Sequence, residues 1–173
     1  MVTALKTGLR VGELLALKWE DLDLVAGRLL VRRTLWHDQE GTPKGGRTRE
    51  VPLSNEAIAT LKAHRHLKGD YVFCETNGRR LTHSQVKDVV PSTCKKAGLA
   101  KRLTTHDLRH TFASHLVMRG VALKAVQELL GHATMEMRMR YAHLSLEVKR
   151  EAVQVLDRPV PGNFGAHVGH MEG

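Results

Sequence analysis

At 173 residues the chain has the length of one domain with a proper core, and its 42% hydrophobic content includes no apolar run long enough to cross a bilayer. Lys and Arg number 27 against 18 Asp and Glu, and the resulting +9 invites a polyanion, nucleic acid above all. On charge alone a generally basic soluble protein stays open beside it. The start, MVTALKTGLR, does not read as a signal peptide, since it lacks a long apolar stretch and a small-residue cleavage site. Cys74 and Cys94 have no Cys-x-x-Cys pairing and point to a reducing compartment rather than a disulfide framework.

In chain order, LRVGELLALKWEDLDL predicts a helix after Gly8, with Leu14 and Leu17 or Leu15 facing inward and its end near Trp19. Arg28 to Trp36 (RLLVRRTLW) and Thr48 to Leu53 (TREVPL) predict two strands joined by a Gly-rich, charged and mobile tip. DLDL could add a third strand, and that small sheet is the only β-structure expected. SNEAIATLKAHRHL predicts a helix capped by Ser54 or Asn55, with Ile58 and Leu61 inward. THSQVKDVVPSTCKKAGL predicts another, kinked or broken by Pro91 and ended by Gly98. Thr104 caps the next helix with Asp107 completing a near capping box, Leu108, Phe112 and Leu116 form its apolar face, and Gly120 ends it. VALKAVQELLGH follows, with Leu123, Val126 and Leu130 inward and Gly131 as the stop. The stretch from Thr134 to Leu156 reads as mostly helical, and from Asp157 the Pro, Gly and His content reads as a disordered tail. The fold class is therefore mostly α with a small antiparallel β-sheet (α+β), and no internal repeat is present.

THDLRHTFASH puts His106, Arg109 and His110 on neighbouring turns of one helix face. The His106/His110 pair imitates a zinc-protease helix, but Asp107 stands where that motif needs Glu, no third ligand is evident, and Arg109 sets a cation beside the would-be metal. Taken alone, the stretch would read as a basic exposed face. It does not stand alone: TGLRVGELLALKW offers Arg10 with Glu13 three residues on, PKGGRTREVPL offers Lys44, and LLGHATMEMRMRYAHLS offers His132 nine residues before Tyr141.

The ordered set Arg10, Lys44, His106, Arg109, His132 and Tyr141 resembles the tyrosine recombinases, the phage-integrase-type site-specific recombinases, over about residues 3 to 150. His-x-x-Arg alone is a weak signal, whereas HDLRHTFASHL followed by LLGH and RYAHLS at this spacing is a strong one. The resemblance implies a catalytic domain, residues 1–156, ahead of a tail, residues 157–173. It also implies an N-terminal helical DNA-binding domain that this chain lacks, and catalytic-domain residues ahead of the first arginine.

The chemistry implied is DNA strand exchange without metal or nucleotide cofactor. A phosphodiester's pentavalent transition state must be met by fixed positive charge, and a guanidinium can grip non-bridging oxygens in pairs. The resemblance gives that work to Arg10 and Arg109, with Glu13 buttressing the site. Tyr141 would attack phosphorus to give a 3′-phosphotyrosine and a free 5′-hydroxyl, conserving the bond energy for rejoining. A phenol with a pKa near ~10 needs help from neighbouring cations and histidines to ionise. Lys44 would protonate the leaving oxygen, with His106 and His132 handling protons and hydrogen bonds. Bland alternatives stand beside each: Arg10 as a helix-end charge, Lys44 as one more charge near Arg47 and Arg49, His132 as a residue after a C-cap, Tyr141 as a core aromatic. His110, His115 and His143 read as structural or DNA-facing, and His64, His66, His167 and His170 carry no pattern. Met135, Met137 and Met139 stand where relatives of this type carry small hydroxyl residues and Gln, and they read as packing residues.

The implied partner is double-stranded DNA, with a homotetramer in the synaptic complex, a monomer when free, and no membrane. The implied setting is the nucleoid-bearing cytoplasm of a prokaryote, or a phage gene expressed there. Two rivals are a type IB topoisomerase-like enzyme, disfavoured by the short LLGH to RYAHLS spacing, and a non-catalytic DNA-binding remnant.

Overall fold

A computed structural model describes residues 1–131 except Asp38, Lys44, Gly45, Arg47 and Lys101. The chain opens with a helix the sequence reading did not anticipate, α1 (Val2–Thr7), which Gly8 ends in the left-handed conformation at φ 63°. Glycine is required there twice over, because a Cβ would also lie 2.4 Å from Phe112 Cδ1. Next comes α2 (Val11–Leu15), only five residues long and far short of the expected run to Trp19. The chain leaves the helix because the backbone of Leu17 and Trp19 is drawn into pairing elsewhere. The Leu17 carbonyl accepts from Val72 N–H, and Trp19 N–H donates to the Asp70 carbonyl, both at 2.9 Å. A 3-10 turn (Trp19–Asp21) follows, and the Asp21 carboxylate caps its start by accepting from Lys18 N–H at 3.1 Å. Of the three leucines expected inward, Leu15 and Leu17 are buried and Leu14 is half-buried.

The expected sheet forms, with its third strand. β1 (Leu22–Asp23), β2 (Arg28–Val31) and, after an inserted hairpin, β5 (Arg49–Pro52) lie antiparallel in the order β1-β2-β5, with Leu29 opposite Val51 and Val31 opposite Arg49. The single strand expected over Arg28 to Trp36 is instead broken at Arg32 and Arg33. Arg33 donates to Asp21 at 2.8 Å and pairs with Glu20, and Arg32 Nε lies 3.7 Å from Asp21, so the two guanidiniums pull the backbone out of the ladder. Beyond the break, β3 (Thr34–Trp36), the end of the expected strand, pairs with β4 (Gln39–Gly41), within the stretch expected to be a mobile tip, to make a second two-stranded sheet.

Helix α3 (Asn55–His64) is capped as expected by Ser54, whose Oγ accepts from Ala57 N–H. The single helix expected around Pro91 is two, α4 (His83–Val86) and α5 (Val89–Lys96). The break falls one turn upstream of the proline, because its ring clashes with the carbonyl of Lys87 four residues back, while Pro91 itself sits harmlessly in the first turn of α5. α6 (Thr105–Met118) carries the expected Thr104 cap, with Asp107 accepting from Thr104 N–H at 2.8 Å. α7 (Leu123–Leu130) is stopped by Gly131 at φ 63°.

The fold is the expected mixture of helices and small antiparallel sheets. Its main core gathers Leu9, Leu17, Leu29, Val31, Val51, Leu61 and Val72, and a second cluster joins α6 to α7 through Ala113, Val117, Val126 and Leu130. No helix among the described residues is long and apolar enough to span a membrane. The helix expected from Thr134 to Leu156, the tail from Asp157 and the Met135, Met137 and Met139 segment lie outside the described residues.

Candidate active site

Glu13 is the hub of the site. It stands in the first turn of α2, where its carboxylate accepts from the Arg10 backbone N–H at 2.8 Å and so caps the helix start. The same carboxylate accepts from Arg10 Nη1 at 2.9 Å and from the two ends of the Arg49 fork at 2.9 and 2.7 Å. Arg109 Nη1 lies 4.0 Å away. The side chain of Glu13 is 1% exposed. Burial pushes its carboxyl up, but the hydrogen bonds and charge of Arg49, then the backbone N–H and charge of Arg10, more than offset this and hold it below the ordinary carboxylate value. An ionised carboxylate in this place gathers guanidiniums from three parts of the sequence.

Arg109 is the most enclosed of them, 3% exposed. Its Nη1 donates to the Gly8 carbonyl at the end of α1, and its Nη2 donates to the Leu130 carbonyl at the end of α7. The helix ends thus supply the acceptors that their own last turns leave over. Gly8, which must be glycine for packing and backbone reasons, also presents its carbonyl to this guanidinium. Arg10 caps α2 with extended backbone and keeps 25% of its side chain exposed, so it lies at the rim of the cluster. His106 is exposed on the first turn of α6, and its ring meets His110 edge-on at 4.5 Å.

Of the predicted site residues, the fold therefore brings Arg10, Glu13 and Arg109 together and puts His106 one helical turn before Arg109. Lys44, His132 and Tyr141 lie outside the described residues. Residues next to Lys44 and His132 are described. Lys44 belongs to the connection from β4 to β5, and His132 follows Gly131, where an added Cβ would sit 3.0 Å from Arg49 Nη1.

The sequence reading passed over Arg49 as a neighbouring charge. It is 11% exposed, closes its fork on Glu13, and donates from Nε to the Leu129 carbonyl at 2.9 Å. A signal was present. In a strand, alternate residues share a face, so Arg49 falls in line with Val51 and Leu53, and an arginine on the inward face of a strand needs a buried acceptor.

His64 and His66 have structural contacts: both bring Nε2 to the Val72 carbonyl, at 2.9 and 3.1 Å, beneath Trp19. Cys74 and Cys94 are free thiols. Among the described residues no three potential metal ligands converge, and the His106/His110 pair has no third partner of that kind.

A family model described as the phage integrase family matches residues 1–147. The chain is 34% identical to the tyrosine recombinase XerC of Thermodesulfovibrio yellowstonii over 167 residues, covering 90% of this chain and 51% of that protein. It is 34% identical to the tyrosine recombinase XerA of Pyrococcus furiosus over 154 residues, covering 86% of this chain and 50% of that protein. The chain thus spans about half the length of the curated relatives it matches. Among solved structures, a XerA recombinase superposes with a TM-score of 0.70 at 32% identity, covering 92% of this chain and 57% of that one. The Tn1549 transposon integrase in complex with circular intermediate DNA superposes with a TM-score of 0.76 at 26% identity, covering 90% and 58%.

Proposed function

Because the chain belongs to the phage integrase family, we propose that it is the strand-cleaving and strand-joining domain of a site-specific DNA recombinase. The single observation that carries this is the gathering of Arg10, Arg49 and Arg109 around the buried carboxylate of Glu13. Such a cluster concentrates guanidinium charge in a low-dielectric setting, where it acts most strongly on a phosphodiester.

In this reading Arg10 and Arg109 bind the non-bridging oxygens of the scissile phosphate and stabilise its pentavalent transition state. Tyr141 attacks phosphorus in line. A Tyr Oη–P bond forms, the P–O5′ bond breaks, and the DNA is left with a 3′-phosphotyrosine and a 5′-hydroxyl. Lys44 gives the departing 5′-oxygen its proton, and His106 and His132 hold the phosphate oxygens and move protons. Attack by a 5′-hydroxyl from another strand reverses the step and completes exchange. The guanidiniums take the charge-stabilising part throughout, and neither a metal nor a nucleotide cofactor enters the scheme.

Residues 1–156 form the catalytic domain and residues 157–173 a tail. The partner is double-stranded DNA, on which four copies assemble in the synapse, whereas the free chain is a monomer; the setting is the DNA-bearing cytoplasm of a prokaryote, with the gene its own or a phage's. The relatives named above are recombinases and integrases, which favours exchange over topoisomerase-like relaxation.

The test is covalent trapping on a duplex nicked just 3′ of the cleavage point, so that the short fragment bearing the new 5′-hydroxyl diffuses away. The wild-type chain should give a labelled adduct that survives denaturation, and Tyr141→Phe should give none while binding DNA equally well. DNA binding without any adduct would instead mark a non-catalytic DNA-binding protein.

A further inference from the structure

Arg49 is not among the six residues to which the mechanism assigns chemistry, yet it joins three of the elements that carry them. Its strand β5 receives the connection that holds Lys44. Its fork fixes both oxygens of Glu13, at 2.9 and 2.7 Å, and Glu13 in turn holds Arg10. Its Nε ties the Leu129 carbonyl in the last turn of α7 at 2.9 Å, and its side chain lies over Gly131, the residue before His132. With 11% of its side chain exposed, Arg49 is enclosed where an ordinary surface contact to a DNA backbone would be open.

We infer that Arg49 is a positioning residue for strand cleavage: it sets the Glu13 carboxylate that steers Arg10, and it anchors the end of α7 from which the chain runs to His132. This rests on the recombinase reading above. The physical reason lies in what each partner can do without it. With only the Arg10 backbone N–H and side chain bonded to it, the Glu13 carboxylate would keep more of its rotational freedom than it does with the Arg49 fork as well. A bidentate fork from a second, enclosed arginine removes the freedom of the carboxylate and passes its orientation on. Lysine cannot replace it, because an ammonium is a point charge that cannot close a planar fork and reach a third acceptor. The charged groups facing Glu13 are Arg10 from the start of α2, Arg49 from β5 and Arg109 from α6. Without Arg49 the burial of Glu13 weighs more, so its carboxyl would ionise at higher pH.

The experiment compares wild type, Arg49→Lys, Arg49→Gln, Glu13→Gln and Arg49→Lys combined with Glu13→Gln. Single-turnover trapping is measured on a saturating nicked duplex, below the melting temperature of each protein, with DNA affinity measured alongside. Arg49→Lys should keep its DNA affinity and salt dependence but trap on the order of 10- to 100-fold more slowly, the scale of a misplaced catalytic group. Added to Glu13→Gln it should cost little more, since both changes remove one shared contact. In Arg49→Gln the acidic limb of the trapping rate should move to higher pH, which a merely structural role would not produce. Wild-type trapping by Arg49→Lys would overturn this inference alone. So would slowing that adds fully to that of Glu13→Gln with an unmoved acidic limb. No trapping by the wild type would overturn the recombinase reading and this inference with it.

Discussion

Replacing Glu13 by Gln keeps the shape of the side chain and removes its charge from the centre of three guanidiniums. The side chain is 1% exposed, so solvent screens little of the loss. Arg49, whose fork meets the two oxygens at 2.9 and 2.7 Å, would keep at most one acceptor, and Arg10 at 2.9 Å and Arg109 at 4.0 Å would lose the charge they face. Removing one partner of a buried, hydrogen-bonded ion pair costs about 3–5 kcal/mol, mostly because the partner charge stays buried without compensation. For a chain of this length that corresponds to a fall in Tm of about 10 °C. Thermal melting followed by circular dichroism at neutral pH measures it. The pH dependence adds a signed check. The carboxyl of Glu13 is held below its ordinary value of 4.5, so its stabilising contribution is complete above that pH and is lost as the pH falls through the lower folded value. The gap between wild type and Glu13→Gln should therefore be full near neutrality and close in acid below pH 4.5. A Glu13→Gln protein that melts with the wild type at neutral pH, or a gap that widens in acid, would refute the hub.

Arg109→Lys should lower cleavage by about 10²–10³, the cost of one transition-state donor. It should also lower Tm, since the Gly8 and Leu130 carbonyls lose their donors; wild-type trapping rates would reduce Arg109 to a structural tie. Gly8→Ala should destabilise by about 2 kcal/mol or more in urea unfolding, because it strains a φ of 63° and sets a Cβ 2.4 Å from Phe112. An unchanged midpoint would contradict the packing described at α1. These 173 residues alone should bind DNA weakly, with little site preference and a steep decline in log affinity with log salt. Titrations of a candidate site and a scrambled one at low and physiological salt decide this, and tight, selective binding at physiological salt would count against it.

What the sequence made legible was local. Ser54 and Thr104 cap the helices they precede, and Gly131 stops α7, because each of these acts on backbone groups within a few residues. The ordering of Arg10, Glu13, His106 and Arg109 was legible as a resemblance, and the fold brings Arg10 and Arg109 to the Glu13 carboxylate. The failures are tertiary. Arg32 and Arg33 break a strand that its composition favours, because Asp21 and Glu20 reach them from an earlier turn. α2 stops short because residues 70–72 compete for its following backbone. Arg49 went unread because its acceptors lie 36 and 80 residues away in sequence, and only the inward register of its strand hinted at a buried partner. Pro91 marked a real break but displaced it by one turn, since the clash falls on the carbonyl four residues back rather than on the proline itself.

The central claim, that this chain breaks DNA through a tyrosine with the phosphate left on the 3′ side, is tested most directly by mapping the covalent adduct. A nicked duplex carrying label on the strand retained after cleavage is trapped by the wild-type chain, the protein is digested, and the labelled peptide is sequenced by mass spectrometry. The account predicts one DNA-linked peptide, containing Tyr141, joined to the 3′-phosphate, with a 5′-hydroxyl on the released fragment. An adduct on any other residue, or a 5′-linked phosphate, would contradict it.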